Sequence, residues 1–159
     1  MPHKHALALI SLLFGLSFAV EAIDEAPSLS MPLACTIGVD CFIQNYVDND
    51  ISAQYGDYRC GFLSYDGHRG TDFRPKSMNA IAAGVPVLAA ADVKVRAISD
   101  GMEDISVRVL GKQALQGRDA GNSVVIVHGN DWETQYAHMK KGSVVVHAGQ
   151  MVTRGTVLG

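Results

Sequence analysis

The sequence predicts a mainly β domain built on an antiparallel sheet, with a loop-rich N-terminal arm. Three observations carry that expectation. Glycine occurs 16 times and proline five times among 159 residues, with only 18% charged side chains, a turn-rich balance unlike the Glu, Lys, Arg and Leu content of a helical bundle. Residues 123–128 and 132–138 are two strand-like runs joined by Gly129-Asn130-Asp131, a turn chemistry that reverses the chain. No segment carries a helical apolar period over three turns.

Taken in order, residues 1–22 have a basic start at Lys4, a 15-residue apolar stretch from Ala6 to Val20 and small residues up to Ala22. This reads as a secretory signal, too short for the roughly 20 apolar residues of a stable membrane anchor. The expected location is therefore exported, periplasmic or extracellular. Residues 23–34, with Pro27 and Pro32 and no periodicity, read as an extended linker, and residues 35–159 as the domain. Pro32-Leu-Ala-Cys35 is a poor lipidation site, because it lies beyond the apolar run. Cys35, Cys41 and Cys60 are more readily disulfide partners than ligands in an oxidising compartment. Cys35 with Cys41 and Cys41 with Cys60 both remain open, and a zinc site of the three with His68 would lack the C-x-x-C knuckle.

Residues 48–57 mark a loop-rich arm. Residues 85–90 and 93–98 read as two strands of a hairpin around Ala91-Asp92, and residues 106–110 as another strand. One short helical turn is expected at residues 112–115. Residues 143–147 and 151–158 are two further β-rich runs separated by Ala148-Gly149-Gln150.

The length allows one domain of ~150 residues. A net charge of -3, with 13 Lys+Arg against 16 Asp+Glu, gives no basic stripe for nucleic acid and no polybasic membrane patch. No G-x-S-x-G elbow and no phosphate-cradling loop occur. The densest chemistry lies in Tyr65-Asp-Gly-His68-Arg-Gly-Thr-Asp72-Phe. Gly67 and Gly70 disfavour a helix, so His68 and Asp72 are expected on a loop running into a strand, converging on one site. Imidazole nitrogen and carboxylate oxygen suit a divalent ion such as Zn²⁺, which takes about four ligands. The segment lacks the alternating acids of a calcium loop. His138, at the end of a predicted strand, is placed to stabilise an oxyanion or orient a metal-held water. His128 reads as packing or solvation and His147 as exposed.

The chain resembles the lysostaphin-type zinc metallopeptidases, which cut peptide cross-links in bacterial cell walls. The resemblance runs through His68-Arg-Gly-Thr-Asp72, Gly84-Val-Pro-Val-Leu-Ala-Ala, Gly121-Asn-Ser-Val-Val-Ile-Val-His128-Gly, Thr134-Gln-Tyr-Ala-His138-Met and Val144-Val-Val-His-Ala-Gly-Gln-Met-Val. It implies a lysostaphin-type peptidase fold, with His68 and Asp72 as zinc ligands and His138 as catalytic histidine. The implied activity is a zinc-dependent endopeptidase that hydrolyses the peptide cross-links of peptidoglycan through a metal-activated water. The family's remaining zinc ligand and other catalytic histidine come from an H-x-H strand, and no such pair follows His138. The expectation is thus a chain truncated before that motif and inactive as it stands. The alternative is a non-catalytic cell-wall-binding or hydrolase-activating relative with a degenerate metal site.

Overall fold

A computed structural model describes residues 26–159; the expected signal at residues 1–22 lies outside the described residues. The elements in order are β1 (Cys41–Asn45), β2 (Asp72–Pro75), α1 (Met78–Ala83), β3 (Val93–Ser99), α2 (Val107–Leu110), a 3₁₀ turn (Lys112–Leu115), β4 (Asn122–Val127), β5 (Glu133–Met139) and β6 (Met151–Val152). The mainly β class holds. β1 and β2 form a two-stranded antiparallel sheet, and a second sheet has the order β5-β4-β3-β6 with every pair antiparallel. Among the described residues no helix is long and apolar enough to cross a membrane.

The four-stranded sheet carries the core on one face. Val95 of β3, Val124 and Ile126 of β4, Tyr136 and Met139 of β5 and Val152 of β6 are buried in one cluster with Ala89, Ala90, Val146 and Leu158. The period-2 alternation of β4 places Val124 and Ile126 on the same side. The β4–β5 hairpin matches its sequence expectation, and so does the helical turn at residues 112–115, observed as 3₁₀.

The expected hairpin over residues 85–98 does not form. A two-residue turn needs positive φ at its centre, which Gly or Asn supplies readily and Ala91-Asp92 does not. Residues 86–89 instead lie between two other extended segments. On one side Leu88 N–H donates to Pro32 O (2.8 Å) and Ala34 N–H to Pro86 O (3.0 Å). On the other, Leu158 N–H donates to Val87 O (2.8 Å) and Ala89 N–H to Thr156 O (2.9 Å). The extended segment before Cys35 is therefore docked along the domain.

The strand expected over residues 106–110 is the short helix α2. The Ser106 hydroxyl accepts from Arg108 N–H at its start, and Gly111 closes it at φ 82°. Capping signals at both ends outweigh the β-branched Val107 and Val109, which find no sheet partner. Residues 143–147 form no strand; their tie to the C-terminal segment is Val145 N–H to Leu158 O (2.9 Å). Only Met151–Val152 of the last expected run is a strand, with Val157 in an isolated bridge to Leu88.

Cys35 and Cys41 are joined in a disulfide, and Cys60 is free and exposed. The carboxylate of Asp40 lies close to both sulfurs, but disulfide sulfurs lack the thiolate that binds metal. That bond also removes the three-cysteine reading with His68.

Candidate active site

His68 is buried in the loop ahead of β2, and Asp72 is the first residue of that strand. The loop is held by main-chain and carboxylate contacts from the arm. Asp48 N–H donates to His68 O (2.8 Å). The Asp48 carboxylate accepts Gly67 N–H (2.9 Å) on one oxygen, and Gly56 N–H (3.0 Å) and Asp50 N–H (3.1 Å) on the other. These amide bonds, Gly56 first, hold the Asp48 carboxyl below the usual carboxylate range. Asp57 is built likewise, accepting from Arg59, Gly61 and Leu63, and the Gly61 amide contributes most to lowering its pKa.

The two ring nitrogens of His68 have different partners. Nδ1 lies 2.8 Å from the Tyr46 carbonyl, which can only accept, so Nδ1 carries a hydrogen. Nε2 faces Asp72 Oδ1 at 3.2 Å. A neutral ring therefore presents a lone pair to a carboxylate oxygen, and only a cation between them, a proton or a metal, makes that approach favourable. Tetrahedral zinc with ligand bonds near 2.0–2.1 Å spaces its ligands by about 3.3 Å, close to the separation found. The donor pair fits the ion. The Tyr65 ring stacks on His68 with centroids 4.3 Å apart. Burial, then the nearby Asp72 charge, raises the Tyr65 phenol pKa and keeps its hydroxyl protonated.

His138 reaches the same region by an irregularity in β5. Asn122 pairs with Met139 but Val124 with Tyr136, so β5 carries one extra residue, a β-bulge. His138 sits there with φ 59°, a left-handed conformation uncommon outside glycine. Regular alternation from Thr134 and Tyr136 would send residue 138 toward the core. The bulge leaves both Ala137 and His138 exposed and returns Met139 to the interior. His138 N–H donates to Ala120 O (2.9 Å), fixing the backbone.

His68, Asp72 and His138 line one open groove of about 1390 Å³ between the two sheets, together with Tyr65, Arg69 and Glu133. His128 and His147 do not line it. His128 instead bonds through Nδ1 to Asp92 O (3.1 Å) and stands 2.8 Å from the Thr134 hydroxyl. His147 bonds to Ala148 O, as its exposed turn position suggests. Among the described residues no third histidine, cysteine or carboxylate has its ligand atom within 4.8 Å of both His68 Nε2 and Asp72 Oδ1.

The sequence reading missed Asn45, Tyr46 and Asp48. Their contacts to the His68 loop span 19 to 27 residues, and the acidic, Asn-rich arm signalled only a loop. The profile of Peptidase family M23 matches residues 66–159. No curated protein and no solved structure matches the chain.

Proposed function

Because the chain belongs to peptidase family M23, we propose that this peptidase is a zinc-dependent endopeptidase of peptidoglycan peptide cross-links, with His68 and Asp72 as zinc ligands and His138 as the catalytic histidine. The observation that carries the reading is the 3.2 Å approach of His68 Nε2 to Asp72 Oδ1 with Nδ1 already committed to Tyr46. Bound zinc would supply Lewis-acid polarisation of the scissile carbonyl and lower the pKa of its water toward ~7.

The chain's own residues do the rest. The Tyr46 carbonyl fixes the His68 tautomer, so the ring offers Nε2 without rearrangement. His138, exposed on the groove wall, donates a hydrogen bond to charge developing on the substrate carbonyl or accepts a proton from the attacking water. The Tyr65 hydroxyl, held protonated, adds a donor in the same groove. The open groove admits an extended peptide. Export belongs to the proposal, and the Cys35–Cys41 disulfide supports an oxidising compartment.

The absence of a third ligand atom near the pair among the described residues favours a second reading, a cell-wall-binding or hydrolase-activating protein with a degenerate metal site. One experiment separates them. Protein expressed from its complete reading frame is incubated with purified peptidoglycan, with zinc or with chelator, and released peptides are identified by mass spectrometry. Zinc-dependent release that His138→Ala abolishes supports the peptidase. Sedimentation with peptidoglycan but no release at any zinc concentration supports the second reading and overturns the first.

A further inference from the structure

We propose that Asn45 is a positioning residue for the metal site, holding one oxygen of Asp72 so that the other stays directed at His68. The inference rests on the zinc reading above and extends it to a residue outside the family-matched segment.

Three observations converge on it. The Asn45 side-chain amide lies 2.9 Å from Asp72 Oδ2, while Oδ1 faces His68 Nε2. A carboxylate only accepts, so the amide nitrogen donates. Each oxygen of Asp72 thus has a separate partner. The strand register places Asn45 there by a bulge: Ile43 pairs with Phe73, yet Asn45 pairs with Asp72. One extra residue, Gln44, is accommodated in β1, which sets Asn45 opposite Asp72. The next residue, Tyr46, supplies the carbonyl that orients His68. Two consecutive residues of one strand end therefore fix both proposed ligands, one through a side chain and one through the backbone.

The contact matters because the Asp72 side chain is 39% exposed. Without a fixed partner its carboxylate turns freely and meets the ion in the required orientation only part of the time. Groups that hold a ligand in this way typically alter metal affinity 10- to 100-fold when removed.

The test titrates the full-length protein with zinc by calorimetry and follows it by NMR. Asn45→Leu keeps similar bulk without a donor, and the expected result is a zinc affinity lowered about 10- to 100-fold. Asn45→Gln keeps the amide and is expected to lose less. In the metal-free protein the Asn45 side-chain amide signals are expected to shift in Asp72→Ala, and His68 is expected to keep its Nδ1–H tautomer in Asn45→Leu, which separates mispositioning from misfolding. Zinc affinity of Asn45→Leu within twofold of the parent, or amide signals indifferent to Asp72→Ala, overturns the positioning role. Zinc binding unaffected by His68→Ala, or absent from the parent, overturns the metal reading itself.

Discussion

Tyr136→Phe tests whether the groove wall is held by a buried hydrogen bond rather than by packing alone. The Tyr136 hydroxyl accepts Ala90 N–H at 2.7 Å and the Thr134 hydroxyl at 3.2 Å. It ties β5, two residues before His138, to Ala90, which follows the extended segment at residues 86–89. Phenylalanine keeps the ring and its packing, so the perturbation is the loss of one oxygen. Ala90 is 3% exposed, so water does not replace the acceptor and its amide is left unpaired. Leaving a buried donor unsatisfied costs about 1–3 kcal/mol. For a chain of this size each kcal/mol shifts Tm by roughly 2–4 °C, so the expected fall is about 2–12 °C. Thermal unfolding followed by circular dichroism gives that number, and hydrogen exchange should show the Ala90 amide losing protection. A Tm unchanged within 1 °C, together with unchanged exchange at Ala90, would refute the reasoning.

Asp48, Asp57 and Asp100 are all held below the usual carboxylate range, chiefly by the amides of Gly56, Gly61 and Gly142. Their contribution to stability is therefore complete above the unfolded value of about 3.9 and is lost as pH falls through the lower folded-state values. Tm should fall steeply below about pH 4, and Asp57→Asn should flatten that fall; an equally steep profile in the variant contradicts the assignment. A Cβ at Gly61 would stand 2.7 Å from Asp57 Oδ2, so Gly61→Ala should destabilise the arm and speed proteolysis there, whereas parental resistance would show that the loop yields freely. Replacing both Cys35 and Cys41 by serine opens a loop with a sequence separation of six, and chain entropy sets the cost near ~2 kcal/mol, readable in denaturant unfolding. Thiol titration of the native parent should count one reactive group, Cys60; two or more would show that the disulfide is absent.

What the sequence makes legible is local. The β4–β5 hairpin follows from two adjacent runs and a Gly129-Asn130-Asp131 turn, and the 3₁₀ turn from a polar excursion between glycines. His68 and Asp72 are legible because both lie in one short glycine-flanked segment, and the structure brings them and His138 to one groove. Apart from residues 106–110, where local capping decides, the misreadings share a cause. Residues 85–90 have strand composition, but their partners lie at residues 30–34 and 155–159, chosen by the whole fold rather than by the next segment. Asn45 and Tyr46 were invisible because their role depends on a register shift between β1 and β2, which leaves no pattern in either strand. The same holds for His138: a histidine at a strand end was readable, but not the bulge that turns it out of the core.

The central claim is that His68 and Asp72 hold zinc in the groove that His138 lines. Anomalous diffraction at the zinc edge, from crystals of the protein loaded with zinc, tests it most directly. The expected map has a peak about 2.0–2.2 Å from both His68 Nε2 and Asp72 Oδ1, absent from crystals of His68→Ala. A loaded crystal with no peak at this pair, or with its strongest peak at another site such as His147, would contradict the account.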